Sequence, residues 1–350
     1  MRYKTREIKV GSIKLGGNNP IRVQSMCNTD TRDAEATIAQ IKELEAAGCE
    51  LVRVAVPDFK AVRALPIIKS KINIPLVADI HYDFRLALAS LPYVDKIRIN
   101  PGTLGSRAKI ALVVKAAKHR GIPIRVGINT GSLEKNVYRK YSNNVDRMIA
   151  SVENSIRLLE SFGFNNIVVA LKSSDVLETI QAYRKFAAKY DYPLHLGLTE
   201  AGPGMTGAIR NSIAIGVLLS EGIGDTIRVS LTGNPVEEVN AAYDILNALA
   251  LRKRGVILIS CPTCSRCSVN LIEIVTRFKQ LSSSIQTPIK VAIMGCEVNG
   301  PGEAKDADIG LAFSNKQGFL FRKGKIITKV SQEEALSKLM TEINNLVGSA

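Results

Sequence analysis

IRVQSMCNTDTRDAEATIAQIKELEAAGCELVRVAV, residues 21–56, decides the fold. Its two ends, IRVQSM (21–26) and ELVRVAV (50–56), are short β-rich runs of strand length. Between them DAEATIAQIKELEAAG is amphipathic, with Asp33 placed to cap a helix start and Gly48 to end it. Strand, crossover helix and second strand make the unit from which parallel sheets are built. The alternation continues through PLVADI (75–80), KIRIN (96–100), PIRVGIN (123–129), NIVVALK (166–172), PLHLGLT (193–199) and DTIRVSL (225–231). Eight strand–helix units imply closure into a barrel. The open, doubly wound alternative lacks its signature, because no GxGxxG follows the first strand. Residues 4–17 precede the first unit and read as a hairpin, IKV and IKL around Gly-Ser, expected to plug the bottom of the barrel.

A chain of 350 residues exceeds the length at which one core usually keeps growing, so one large and one small domain are expected. From about Gly255 the order changes to a strand (GVILIS), a cysteine loop, a helix (269–281), a strand (IKVAIMG), a Gly-Pro-rich loop, two or three further strands and a closing helix from about Ser331. The expected architecture is α/β: a TIM (β/α)8 barrel over residues 1–250 that binds substrate, then a small α+β domain over 251–350, joined by a short basic hinge at Arg252–Gly255.

Apolar residues make up 46% and charged residues 23%, which excludes an extended disordered chain. No apolar run reaches membrane-span length, and MRYKTREIKV lacks the features of a secretory signal, so the expected compartment is the cytoplasm. The formal charge of +15 calls for an anionic partner: nucleic acid, a small molecule or an acidic protein. The absence of tryptophan and of any dense Lys/Arg run argues against nucleic acid.

Polar residues collect where a barrel places its chemistry, at the C-terminal ends of the strands. Residues two apart share a face, which pairs Arg98 with Asn100, Arg125 with Asn129 and Arg228 with Ser230. Arg53, Asp79, Lys172 and Glu200 stand near the ends of the second, third, sixth and seventh strands, with His81 just beyond. Burying four arginines and a lysine costs several kcal/mol each, to order of magnitude, unless a strong anion compensates. A phosphate or diphosphate fits that need, and arginine meets it in bidentate geometry. Internal pairing with Asp79 and Glu200 is the alternative, and Lys172 also suits a Schiff-base role in a barrel aldolase or lyase. His195 reads as a satisfied structural histidine and His119 as a helix-end surface residue.

In a reducing compartment the six cysteines point to metal rather than disulfides. CPTCSRCS supplies Cys261, Cys264 and Cys267, and IMGCEVNGPGEA supplies Cys296 and Glu303. A bacterial ferredoxin run would place its fourth cysteine at 271, which is Leu271, so a ligand from elsewhere is required and Cys296 is the candidate. On spacing alone structural zinc and an iron–sulfur cluster both stand. Cys27 and Cys49 read as small core residues.

VQSM, PLVADIHYDFRLAL, RINPG, GINTGSLE, HLGLTEAG, LLSEGIGDTIRVSL, CPTCSR and GCEVNGPGEA together resemble the 4-hydroxy-3-methylbut-2-enyl diphosphate synthase family of non-mevalonate isoprenoid biosynthesis, in its shorter bacterial two-domain form. The resemblance spans nearly the whole chain. It implies a barrel followed by a ferredoxin/sulfite-reductase-like domain in which Cys261, Cys264, Cys296 and Glu303 ligate a [4Fe-4S] cluster. Cys267 departs from the family pattern. The implied reaction is reductive ring opening of 2-C-methyl-D-erythritol 2,4-cyclodiphosphate. Arg53, Arg98, Arg125, Arg228 and Lys172 would hold the diphosphate; Asp79, His81, Asn100 and Asn129 would orient it; Glu200 would donate the proton for water loss. Flavodoxin or ferredoxin would supply electrons, and a homodimer is implied in which one chain's cluster domain closes over its partner's barrel.

Overall fold

The computed structural model describes residues 2–133, 135–296, 304–314 and 317–348. The chain divides into two compact units, Met1–Arg252 and Lys253–Ala350. In the first, β1 (Ile8–Val10) and β2 (Ile13–Leu15) form an antiparallel hairpin. Eight strands follow: β3 (Arg22–Met26), β4 (Leu51–Ala55), β5 (Leu76–Asp79), β6 (Lys96–Ile99), β7 (Ile124–Asn129), β8 (Ile167–Lys172), β9 (His195–Leu196) and β10 (Thr226–Ile227). Strands β3 to β8 pair in parallel in chain order, and β10 lies between β9 and β3. The bridge Val169↔Leu194 joins β8 to the segment entering β9, which closes the ring.

The helices between strands start where short polar side chains can satisfy the free N–H groups of a first turn. Asp33, Asp58, Asp83, Asn143, Asp175 and Asn234 each accept such a bond. The first of these helices, Ala34–Ala47, runs between Asp33 and Gly48 as the sequence pattern predicts.

Strand alternation then sorts the side chains into two environments. Val52, Val54, Ala78, Ile97, Ile99, Val126, Ile128, Val169 and Leu171 face the helix layer in one continuous core. The opposite parity points into the barrel. At its lower end Leu51, Val77 and Val168 pack against Ile8, Val10 and Leu15 of the hairpin, so the hairpin is the plug. Strands β9 and β10 are shorter than the runs 193–199 and 225–231. Regular pairing ends at Leu196, before Gly197 at φ 151°, and at Ile227, before Arg228.

The second unit is a mixed five-stranded sheet in chain order: β11 (Val256–Ser260), β12 (Ile289–Met294), β13 (Ile309–Ser314), β14 (Gln317–Arg322) and β15 (Lys325–Ser331). Strands β11 to β13 are parallel and β13 to β15 antiparallel. Helices Leu271–Ser282 and Gln332–Gly348 contribute Phe278, Leu339 and Ile343 to a core with Val291, Ile293, Leu311 and Leu320. Ala292, Met294, Ala312 and Phe321 form a second, smaller cluster.

Candidate active site

Arg53, Asp79, Lys96, Arg98, Arg125, Lys172 and His195 all carry the inward parity and are all buried. Barrel interiors are usually filled with branched apolar side chains; above the hairpin plug this one is filled with charge. Asp79 is the hub. Arg98 Nη1 donates to its Oδ1 at 3.0 Å, Arg53 Nε lies 3.7 Å from Oδ2, and His81 Nε2 lies 3.5 Å from Oδ1. Arg98 Nη1 also meets His81 Nε2. Arg53 turns its guanidinium edge to Met26 Sδ at 2.8 and 3.0 Å.

Arg228 is engaged differently. Its Nε and Nη2 fork onto the two oxygens of Glu238 at 3.2 and 3.1 Å. Glu238 also accepts from Ser25 Oγ at 2.9 Å and from the Leu231 N–H at 3.0 Å. Of the internal pairing that the sequence left open, this is the part that exists: Asp79 and Glu238 take part, and Glu200 does not.

The cations therefore exceed the carboxylates in the barrel. Burial opposes ionisation of Asp79, but Arg53, His81, Arg98 and Arg125 outweigh it and hold the carboxyl well below its usual range. Arg53 shares that one carboxylate, and burial with Arg228 and Arg98 beside it pushes its guanidinium down to about 10, still charged at neutral pH. Burial, followed by Arg125, Arg228 and Arg53, drives Lys172 well below an ordinary lysine. Among the described residues, Arg98 Nε and Arg125 Nε and Nη1 are buried with no hydrogen-bond partner. Donors left unsatisfied in a desolvated pocket are what an incoming anion would satisfy.

Two glycines make the crowding sterically feasible. A Cβ at Gly127 would lie 2.8 Å from Arg98 Nε. One at Gly197 would lie 2.4 Å from the Arg228 carbonyl oxygen and 2.6 Å from Lys172 Nζ. Both positions need the missing side chain for close approach.

The remaining candidates sit at the rim. Asn100 is buried and accepts from the Gly102 N–H at 3.1 Å, capping the short helix Pro101–Leu104. Asn129 ends β7, paired with Lys172 of β8. Ser230 is half-buried, its backbone bound at both N–H and C=O by Asn211. His81 is exposed, beside Tyr82 at φ 64°. Glu200 is also exposed, with a left-handed φ of 56°. His195 is half satisfied among the described residues: Nδ1 meets Thr226 Oγ1 at 2.8 Å, while Nε2 is buried without a partner.

Four interior residues were not among the candidates: Gln24, Met26, Lys96 and Glu238. The alternation that selects Arg98 also selects Lys96, and the same rule sets Gln24 and Met26 on one face of β3. Glu238 lies in the first turn of helix Pro235–Ala248, and no strand pattern could have found it.

In the second unit Cys261 and Cys264 lie on the loop after β11, and Cys296 on the loop after its parallel neighbour β12. The Gly295 N–H donates to Cys261 Sγ at 3.3 Å, and the Ser268 N–H to the Gly295 carbonyl at 3.0 Å, which ties the two loops together. Cys264 is exposed, Cys261 half-buried and Cys296 buried. Cys267 Sγ donates to the Val269 carbonyl at 3.2 Å, and a Cβ on Gly295 would lie 2.4 Å from that sulfur. Among the described residues no group of three or more His, Cys, Asp or Glu is close enough to hold a metal ion; Glu303 and the Gly300-Pro301-Gly302 turn lie outside them. The donor chemistry fits a thiophilic centre: soft sulfur ligands on two adjoining loops, with a backbone N–H already directed at one sulfur. Cys27 and Cys49 are buried in the barrel core, where burial raises both thiols to about 12, as inert core residues.

Two family profiles match the chain, one described as the GcpE TIM-barrel domain over residues 5–243 and one as the GcpE protein C-terminal domain over residues 257–345. The chain is similar to 4-hydroxy-3-methylbut-2-en-1-yl diphosphate synthase (flavodoxin) of Caldanaerobacter subterraneus subsp. tengcongensis, 55% identical over 349 residues, covering 99% of this chain and 98% of that one. It is 52% identical over 344 residues to the protein of the same name from Thermodesulfovibrio yellowstonii, covering 98% and 99%. Among solved structures, dihydropteroate synthase from Stenotrophomonas maltophilia aligns with a TM-score of 0.54 at 14% identity, covering 70% of this chain and 97% of that one. The Yersinia pestis dihydropteroate synthase aligns with a TM-score of 0.52 at 12% identity, covering 70% and 98%. At such identity the likeness is one of fold alone.

Proposed function

The chain belongs to the 4-hydroxy-3-methylbut-2-en-1-yl diphosphate synthase family, and from that premise we propose that it reductively opens 2-C-methyl-D-erythritol 2,4-cyclodiphosphate. Two electrons enter, a carbon–oxygen bond of the ring breaks, a hydroxyl leaves as water with one proton, and 4-hydroxy-3-methylbut-2-enyl diphosphate is released. The observation that supports this reading is the excess of buried cations over carboxylates inside the barrel, with the unpaired donors of Arg98 and Arg125 among them.

Arg53, Arg98, Arg125, Arg228 and Lys172 hold the diphosphate. Asp79 fixes Arg98 and Arg53 in place, and Asn100, Asn129, His81 and Ser230 orient the ligand at the rim. Glu200 delivers the proton that leaves with water. Cys261, Cys264 and Cys296, with Glu303, would hold a [4Fe-4S] cluster, which when bound supplies the electrons. The donor is a flavodoxin, the partner in the relatives' name, or a ferredoxin; the basic chain suits either acidic protein. No helix among the described residues is long and apolar enough to cross a membrane. The working form is a homodimer whose shared sites place one chain's cluster domain over its partner's barrel. Such a cover would give the exposed Glu200 the dry surroundings that an acid needs.

The test is turnover by anaerobically reconstituted protein with reduced flavodoxin and the cyclic diphosphate, with product identified by mass. Electron flow without the linear diphosphate would overturn the reading, and a colourless protein containing zinc would favour a barrel lyase. For the dimer, the inactive Glu200→Gln and Cys296→Ser variants are mixed after subunit exchange is confirmed. Restored activity supports shared sites, and continued inactivity rejects them.

A further inference from the structure

Lys96 has no exposed surface and sits on the inner face of β6, two residues before Arg98. Its Nζ donates to Gln24 Oε1 at 3.3 Å, and the charged groups it faces are Arg125 of β7 and Arg53 of β4. Among the described residues no carboxylate pairs with it; Asp79 of β5 acts on Arg53 and Arg125, and Glu238 on Arg53 and Lys172. His195 of β9 faces the same cations, Arg125, Lys172, Lys96 and Arg53. The hairpin below packs Ile8, Val10, Ile13 and Leu15 against the lower end of the barrel, and its Lys9 and Lys14 are exposed.

An apolar side chain would fill this position at lower cost, as Leu51, Val77 and Val168 do nearer the plug. A guanidinium cannot shed its proton, so where cations crowd, the weaker bases release theirs. Burial and then Arg125 and Arg53 disfavour the ammonium form of Lys96, and burial with the same neighbours keeps His195 neutral. His195 Nδ1 meets Thr226 Oγ1, and His195 Nε2 is buried without a hydrogen-bond partner among the described residues. An ammonium at Lys96 would keep the acceptor that the amine already has, Gln24 Oε1.

We propose that Lys96 is a positioning residue that takes up one proton from solvent as the anionic substrate binds above it, so that the buried pair of Lys96 and Gln24 becomes charged only when the mouth is occupied. The inference rests on the substrate reading given above. The proton comes from the buffer acid, and the amine lone pair forms the new N–H bond. The substrate is not its source or sink: each phosphorus of a cyclic diphosphate diester carries one strongly acidic oxygen and no second ionisation near neutral pH.

The test is calorimetric titration of the cluster-loaded protein with the cyclic diphosphate, without reductant, in two buffers of different ionisation enthalpy. The expected result is uptake of about one proton per site from Lys96, in addition to any taken up by Lys172, and a Kd that rises with pH above the free-state titration of Lys96. Lys96→Met should take up about one proton fewer than the unaltered protein, whereas a loss of packing alone would leave the proton count unchanged. Lys96→Gln serves the same comparison should the methionine variant fail to fold. Binding without proton uptake in the unaltered protein overturns the inference and leaves the substrate reading standing. Uptake undiminished in the Lys96 variants overturns the assignment to Lys96. Failure of the unaltered protein to bind overturns the substrate reading, and the inference with it.

Discussion

The two units carry their candidate sites at opposite stages of assembly. In the barrel, packing sets Arg98, Arg125 and Lys172 in place before any ligand arrives, with Asp79 bonded to Arg98 and with Gly127 and Gly197 making room. In the smaller unit Cys264 is exposed, and the loops that bear Cys261 and Cys296 are joined by the Gly295 and Ser268 backbone bonds. The difference follows from what holds each set of groups. Like charges repel, so only a large closed core can keep them together. Thiolates are drawn together by the centre they ligate, and the metal–sulfur bonds themselves order the loops. One site is therefore a property of the fold, and the other a property of fold and cofactor together.

The severest way to break that comparison is to remove a sulfur. Cys261→Ser, Cys264→Ser and Cys296→Ser should each abolish retention of a cluster and all turnover. Cys267→Ser should retain both, because a serine hydroxyl can donate to the Val269 carbonyl as the thiol does. Iron and sulfide analysis after anaerobic reconstitution decides. Retention in the Cys296 variant together with loss in the Cys267 variant would overturn the assignment. In all four variants the barrel should unfold at an unchanged temperature.

Next in size is the rim of the preassembled site. Glu200→Gln should lower turnover by about 10²–10⁴-fold, the usual contribution of a positioned acid, with affinity for the cyclic substrate unchanged. Turnover equal to that of the unaltered protein excludes the acid role.

Much of the barrel was legible because its signal is periodic. Eight β-rich runs, the Asp33 cap and the Gly48 stop all sit where the structure has them, and alternation selects Arg53, Arg98 and Arg125 as inward residues. What alternation cannot do is name a partner across the barrel. Arg228 is neutralised by Glu238 from the helix that follows its strand, and that pairing belongs to tertiary structure. Nor does position at a strand end set exposure: Glu200 and Lys172 end neighbouring strand runs, yet one is exposed and the other buried. Lys96 was passed over for another reason. A lone lysine at the start of a strand carries no motif, and its meaning comes from the two arginines beside it.

A smaller effect sharpens the idea of a site set by packing. Gly127→Ala places a methyl where Arg98 Nε now lies, within 2.8 Å, and the guanidinium must move off its bond to Asp79. The backbone there needs no unusual φ, so the protein should fold. Substrate affinity should fall about tenfold, roughly the 1.4 kcal/mol of a damaged charge-assisted hydrogen bond. Titration of the variant with the cyclic diphosphate measures it. Unchanged affinity would mean that Arg98 need not be held in one place.

The smallest expected effect is a gain. An unfolded lysine titrates at about 10.4, and in the folded protein burial, then Arg125 and Arg53, lower Lys96 well below that. Between the folded and unfolded values the unfolded state binds the extra proton, so this group's contribution to stability rises with pH across that window. Below the folded value both states are protonated and the penalty is at its full size; above about 10.4 it is gone. Lys96→Met removes the penalty and fills similar volume. Stability should therefore increase, by about 1–4 kcal/mol as for other buried charges replaced by apolar groups. The gain should be greatest toward the acid side and shrink as pH rises. Thermal melts of the two proteins across pH measure it. A pH-independent loss of stability in the variant would show that Lys96 serves only as a hydrogen-bond donor to Gln24. A gain in stability combined with loss of proton-linked binding would show that the lysine is retained at a cost in stability for what it does when the anion arrives.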